Sequence, residues 1–467
     1  MKYKVWLSVL CMICLLAGCA MPFGNQNASN GNSDGTQTLG LAPDFSYEVT
    51  QQVPNILINQ IGYETNTSKV AIMHGHNLDA EFVVYNAINH KQEFKGNLQS
   101  GKIQMQEELP EGQETEVAKT IYLADFSSLN KTGTYYLYHS DLGYSYEFCI
   151  GPSVYDDVEK SVLFAIEEEK DDTSLICYQL SALLMTKELY GNQLLEPKRF
   201  EDICLEKIER LLQAQDPVSG AVYDNISDVE KIKDLDATQK QSYVSLAATA
   251  EFAGTLALYA YQMKDVNWEI YHQCMIAAEN AYRTIQNSLD NVGYDAGYYA
   301  SAGLYRLTGR AKYAQAISQY LTMKEEQKSY TEYDFTLFGD YAYITLRYGA
   351  NLELSEMVMK KIMSQAEEIS RYGGKNNYYV SAHRQDNDID GKLRDMANMA
   401  VVNYIITNHE YSTLQKNYVD YLLGRNPQSI CYLDGFGTLN TTDEKGKITS
   451  KNSGLFYLLL QSTKLKR

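Results

Sequence analysis

Tryptophan is almost absent from this chain of 467 residues: two copies stand against 39 tyrosines and 13 phenylalanines. Proline is scarce, at eight residues, and no glycine-every-third period accompanies it, which excludes collagen-like and proline-rich fibrous chains. Cysteine is not organised for metal. Beyond position 18 the cysteines are Cys19, Cys149, Cys177, Cys204, Cys274 and Cys431, with no CxxC pair and no Cys/His cluster. Zinc ligands come in closely spaced pairs, so a zinc site is not expected and no metal or other cofactor is called for. Positive charge is in deficit as well, with 59 acidic against 41 basic residues and a net charge of −18. A field of that sign repels phosphate backbones and sets nucleic acid aside as a partner. No glycine-rich phosphate loop or nucleophile elbow is present either. What remains is 45% apolar and 21% charged with 30 glycines, ordinary for a globular chain of roughly two to four domains.

The first segment, MKYKVWLSVLCMICLLAGCA, places Lys2 and Lys4 ahead of an apolar run from Val5 to Ala17. That run is too short for a transmembrane helix and has the form of a secretory signal. Its Leu16-Ala17-Gly18-Cys19 ending resembles a bacterial lipoprotein signal, so residues 1–18 are expected to be removed and Cys19 to carry lipid at the cell envelope or surface. Loss of Lys2 and Lys4 takes the charge from −18 to −20, and loss of Trp6 leaves Trp268 alone. Residues 19–52, rich in Asn, Gly and Ser, read as a flexible linker.

Residues 53–151 read as strands. VAIM (70–73), FVVYNA (82–87), KTIYLADF (119–126), TGTYYLYH (132–139) and YSYEFCI (144–150) are short, near-alternating runs between Gly, Asn and Asp turns. They predict a β-sandwich of about 100 residues. From Tyr155 onward the period is helical. Segments 199–215, 244–263, 270–289 and 396–409 place apolar residues at i, i+3, i+4 and i+7, and Gly or Pro marks the breaks. Ten or eleven helices fit residues 152–467. Trp268, among apolar neighbours in NWEIYHQ (267–273), reads as a packing residue.

Within this layout ILINQIGYETNTSKVAI (56–72) and YEFCIGPSVYDDV (146–158) resemble the immunoglobulin-like domain that precedes the catalytic domain of family 9 glycoside hydrolases, the cellulases. LLQAQDPVSGAVYDNISD (211–228), ATAEFAGTLALYA (248–260), AGYYASAGLYRLTGRAKYAQAI (296–317) and VDYLLGRNPQSICYLDGFG (419–437) resemble that family's helical domain, in the family's order. INQIGY and the LGRNP…GFG pair are the specific elements. The resemblance implies an N-terminal immunoglobulin-like β-sandwich followed by an all-α six-hairpin toroid, expected to be incomplete here.

It also implies inverting hydrolysis of β-1,4-glucan. That reaction needs a carboxylic acid to protonate the leaving oxygen and a carboxylate roughly 6.5–9.5 Å away to activate water. The family takes its base from an Asp-Ala-Gly-Asp run and its acid from an Asn-Glu element near the C-terminus. Neither motif stands here. Asp171 and Asp172 are the acids nearest the dyad's place, with two readings open: a remnant base, or an acidic cap on the helix beginning at Thr173. After Gly437 the one glutamate is Glu444, in a polar turn. Asp295, in Tyr294-Asp295-Ala296-Gly297, reads as a helix-start residue, and His383-Arg384 precedes GFG rather than following it. Asp386, Asp388 and Asp390 alternate as calcium ligands can, although an EF-hand loop would need Glu where Ala397 stands.

With tryptophan gone, tyrosine is the candidate stacking residue. Tyr294, Tyr298, Tyr299, Tyr330, Tyr333, Tyr378 and Tyr379 fall at helix starts or in loops, and Tyr298, Tyr333 and Tyr378 are the substrate-binding candidates. The reading is therefore a lipid-anchored, cellulase-like protein that binds β-glucan or oligosaccharide with lost or weak hydrolysis. An active hydrolase using Asp171 or Asp172 and a protein-interaction module are the alternatives.

Overall fold

The computed structural model describes residues 54–100, 120–288, 291–346, 349–373, 388–407, 409–440 and 447–464. Cys19, Tyr378, Tyr379, His383, Arg384, Asp386 and Glu444 lie outside them. Among the described residues ten strands come first: β1 (Ile56–Leu57), β2 (Gly62–Tyr63), β3 (Val70–Gly75), β4 (Glu81–Asn86), β5 (Gln92–Asn97), β6 (Gln99–Ser100), β7 (Thr120–Asp125), β8 (Gly133–His139), β9 (Gly143–Tyr144) and β10 (Phe148–Ile150). They form two sheets, ordered β1-β3-β7-β6 and β2-β10-β8-β4-β5, with β9 on β8. β5 was not expected from its sequence, because QEFKGN carries charge and glycine and its side chains are mostly exposed or half-buried. It is held by an antiparallel register with β4.

Alternation along the first sheet divides its side chains between two cores. Ile56, Ala71, Met73 and Ala124 join Tyr63, Phe82, Leu137 and Phe148 between the sheets. Their neighbours Leu57, Ile72 and Ile121 point the other way and enter the helical core. One sheet thus faces hydrophobic surroundings on both sides.

Twelve helices of nine or more residues follow among the described residues. They are α1 (Asp156–Glu168), α2 (Thr173–Tyr190), α3 (Pro197–Gln213), α4 (Leu246–Met263), α5 (Trp268–Ile285), α6 (Tyr294–Thr308), α7 (Ala311–Thr322), α8 (Thr336–Ile344), α9 (Leu352–Gly373), α10 (Ile389–Ile406), α11 (Ser412–Leu422) and α12 (Ser450–Thr463). The even-numbered helices pack in the order α2-α4-α6-α8-α10-α12 and back to α2, which closes a ring. The sequences explain the sorting. Residues 175–185 of α2, 248–260 of α4 and 294–307 of α6 are buried without interruption, as a helix apolar all round must be. The outer helices bury one stripe each, such as Phe200, Ile203, Cys204, Ile208 and Leu211 on α3. The expectation of an incomplete toroid is corrected: NSGLFYLLLQ, beyond the GFG element, is buried throughout as the inner helix α12. Among the described residues no helix is long and apolar enough to cross a membrane. None of the five described cysteines forms a disulfide, and burial pushes the Cys204, Cys274 and Cys431 thiols up to about 12.

Sandwich and toroid are joined by a buried polar interlock. The Asn59 amide donates to Asp420 Oδ1 and to the Tyr155 hydroxyl, each at 2.9 Å, and Tyr155 donates to the Gly62 carbonyl at 2.8 Å. Gln60 Nε2 donates to the Ser429 carbonyl at 2.6 Å, while its Oε1 accepts from the Thr438 and Leu439 amides at 2.7 and 3.1 Å. A Cβ on Gly424, whose φ is +128°, would meet the Gln60 side chain at 2.7 Å. Arg425, buried with 1% of its side chain exposed, reaches Asp420 at 3.3 Å and the Val70 carbonyl at 3.1 Å, and Lys416 completes the pairing with Asp420 at 2.5 Å. INQIGY and LGRNP…GFG, the most specific stretches of the sequence, are the two sides of this joint.

Asp420→Ala leaves two cations and the Asn59 amide buried without their partner, and a broken buried pair costs about 3–5 kcal/mol. The urea midpoint of Asp420→Ala is expected to fall accordingly, with a much smaller change for an exposed pair such as Lys198–Asp202.

Candidate functional site

The ring brings the N-terminal ends of its helices to one face. There a pocket of about 700 Å³ is lined by Asp172 and Ser174 from the start of α2, Asp224, Asn225 and Asp228 from the connection after α3, Ala247 and Glu251 from the first turns of α4, residues 291–293 before α6, and residues 329–333 before α8. Unpaired backbone N–H groups at helix starts carry partial positive charge, so these ends favour carboxylates.

Asp172 is the N-cap of α2. Its Oδ1 accepts from the Leu175 amide at 2.8 Å and its Oδ2 from the Tyr333 hydroxyl at 3.1 Å. Backbone bonds from Thr173 N to Asp224 O (3.1 Å) and from Ile226 N to Asp171 O (2.8 Å) stitch the 224–226 segment onto the start of α2. That stitching carries Asp224 and Asp228 to the rim.

The opposite wall is latched by Asp295, in the first turn of α6. Oδ1 accepts from the Thr331 amide at 2.8 Å, and Oδ2 accepts from the Thr331 hydroxyl at 2.5 Å and the Phe335 amide at 2.9 Å. Asp295 starts a helix as expected, but its carboxylate also fixes the loop that carries Tyr330 and Tyr333.

Glu251 is the acid that sequence reasoning missed. It is 1% exposed, lines the pocket, and its Oε2 is buried with no hydrogen-bond partner. Burial pushes its carboxyl up from 4.5 to about 8, the charges of Asp295 and Asp172 add to this, and hydrogen bonding from Ser174 and Thr331 opposes it. A sign was present in the sequence: Glu251 is the one charged residue in the apolar run ATAEFAGTLALYA (248–260).

The candidates separate. Asp172 and Tyr333 are brought together on the pocket wall, whereas Asp171 is exposed and absent from the lining. Tyr298 is not on the pocket. Its ring is fully buried against Gly339, where a Cβ would meet it at 2.5 Å, and its hydroxyl donates to Asp340 at 3.1 Å. Tyr294 and Tyr299 are buried too, while Tyr330 is half exposed at the rim. Trp268 is not a packing residue, being 70% exposed at the start of α5 beside Tyr271 and His272. Asp388 caps α10 through the Gly391 amide at 3.0 Å, and Asp390 pairs with Arg394 at 3.4 Å. Among the described residues no three His, Cys, Asp or Glu side chains come together to hold a metal ion.

The chain was compared with known proteins. The profile of glycosyl hydrolase family 9 matches residues 179–450, and that of the cellulase N-terminal Ig-like domain matches residues 51–143. Endoglucanase D of Acetivibrio thermocellus is 22% identical over 417 residues, covering 69% of this chain and 66% of that protein, just under two thirds of its length. A thermostable endoglucanase from Alicyclobacillus acidocaldarius superposes with a TM-score of 0.65 at 18% identity, covering 83% of this chain and 85% of its own. A Bacteroides ovatus family 9 protein gives 0.64 at 15%, covering 88% and 98%. A structure in complex with cellobiose-like isofagomine gives 0.65 at 18%, covering 83% and 85%. These superpositions show that the fold is shared.

The raised carboxyl has a consequence for stability. Between the unfolded value near 4.5 and about 8, the native state holds a proton on Glu251 that the unfolded chain does not. Stability therefore falls as pH rises through that window. Glu251→Gln, which cannot ionise, is expected to flatten the decline, measured as urea stability at several pH values from about 4.5 to about 8.

Proposed function

We propose that this chain, which belongs to glycosyl hydrolase family 9, binds β-linked oligosaccharides of the glucan type in the acidic pocket, with little or no hydrolysis. The observation that carries the reading is the pocket itself: an open site at the helix N-termini, fitted with hydroxyls, amides and carboxylates and edged by the Tyr330 and Tyr333 rings. Sugar recognition needs hydrogen-bonding groups for hydroxyls and an aromatic face for the ring. The relative solved with a cellobiose-like isofagomine has the same fold. Weak turnover is supported by Asp172, whose two oxygens are already engaged by the Leu175 amide and the Tyr333 hydroxyl. The Asp-Ala-Gly-Asp run is also missing between Tyr155 and Leu194.

One observation favours the hydrolytic alternative. Glu251, held protonated to about pH 8, and Asp172 form a carboxylic acid and a carboxylate lining one pocket, as general acid–base catalysis requires. Calorimetry with cello-oligosaccharides and reducing-sugar release from soluble β-glucan decide between the readings. Measurable binding without release is expected. Release abolished by both Asp172→Asn and Glu251→Gln would establish the hydrolase instead, and absence of binding would favour a protein-interaction role.

For location, we propose that Cys19 carries a lipid that tethers the folded region to the envelope, supported by the Leu16-Ala17-Gly18-Cys19 sequence and the polar residues after it. Cys19→Ala is expected to move the protein from the membrane to the soluble fraction. A variant that still sediments with membranes rules the anchor out.

A further inference from the structure

We propose that the pocket is selective for oligosaccharides bearing a protonated amino group, of the β-linked glucosamine type, over their neutral glucose counterparts. This rests on the sugar-binding reading above and names the class of sugar within it.

The first observation is charge. Among the described residues the lining contains Asp172, Asp224, Asp228, Glu251 and Glu332, and no lysine, arginine or histidine. The nearby described cations are already engaged, one of them by Asp228 of the lining itself. Lys231 holds Asp228 at 2.8 Å, Lys328 holds Glu325 at 2.7 Å, and Lys451 donates to the Glu332 carbonyl at 3.2 Å while standing 5.0 Å from the Tyr333 ring centre. A neutral sugar entering this site removes water from several carboxylates and returns no charge to them. An ammonium compensates that desolvation directly, because charge-assisted hydrogen bonds are about twice as strong as neutral ones.

The second observation is independent of the acidic cluster. Glu251 Oε2 is a buried acceptor with no partner, on a side chain 1% exposed that lines the same pocket. The groups that act on that side chain include Asp172 and Ser174 from α2, Asp295 from α6, and Thr331 and Tyr333 from the loop before α8. An unmade hydrogen bond on a buried carboxyl oxygen is expensive, and an ammonium supplies three donors at once. When such a ligand binds, it favours the ionised form of Glu251, so uptake of the amine is coupled to release of a proton. The hydroxyl that replaces the amine in the glucose series offers one donor and no charge.

The test compares tetrasaccharides of one linkage that differ only at the 2-position: glucosamine, N-acetylglucosamine and glucose, titrated calorimetrically into the full chain near pH 6, about where the amine is protonated and exposed carboxylates are ionised. The glucosamine form is expected to bind at least about tenfold more tightly than the other two, the size of one charge-assisted hydrogen bond. The preference should shrink in high salt and fall several-fold in Glu251→Gln. Asp224→Asn, at an exposed rim position, should reduce it as well and keeps the test decisive if the buried substitution fails to fold. Equal or tighter binding of the glucose form overturns the inference and leaves the sugar-binding reading standing. Binding of none of the three overturns both. A glucosamine preference unchanged in both variants overturns the inference, because the amine is then held elsewhere.

Discussion

Helices that are apolar on every side can be buried in one way only, against partners on every side. That constraint organises this molecule. The runs in α2, α4, α6 and α12 leave no polar face for solvent, so they form an inner ring, and the amphipathic helices between them form the outer layer. The alternation of inner and outer helices with short connections makes the inner helices run the same way. Their starts consequently meet on one face, where Asp172, Glu251, Asp295, Asp388 and Arg394 are all found. The polar site is thus a product of the apolar pattern.

A second constraint ties that ring to the sandwich. Asn59 and Gln60 form no part of the pocket, yet their amides reach across to Asp420, Ser429, Thr438 and Leu439. Amides in such a joint can use both donor and acceptor, which makes the fit specific in direction as well as shape. Replacing either partner strands polar groups in a buried interface. This explains why INQIGY and LGRNP…GFG carry the family resemblance so well and say little about chemistry: they report how the two domains are assembled.

At the open face the electrostatics differ from those of a bare acidic patch. Helix starts supply partial positive charge beneath Asp172, and the hydroxyls of Thr331 and Tyr333 satisfy oxygens of Asp295 and Asp172. Glu251 differs, since it is almost wholly buried and lacks a partner on Oε2. Its proton is a consequence of burial and of neighbours that are themselves acidic.

The architecture was legible in the residues because it rests on periodicity. Alternating runs became strands, the all-apolar runs became inner helices, and the Asp172-Thr173-Ser174 start became a true cap. The misreadings share one cause. Tyr298 and Trp268 were judged by neighbours along the chain, yet Tyr298 rests on Gly339, forty-one positions away, and Trp268 turns outward at the start of α5. β5 was hidden for the same reason, its partner β4 being the only ground for its extended form. By itself, the sequence determined which segments must be buried and what caps them, since hydrophobic pattern and helix-end chemistry are local properties. Only the tertiary structure decided that Glu251, Asp172, Asp295 and Tyr333 share one pocket, and that burial would keep a proton on Glu251, because proximity and desolvation arise when distant segments exclude water together.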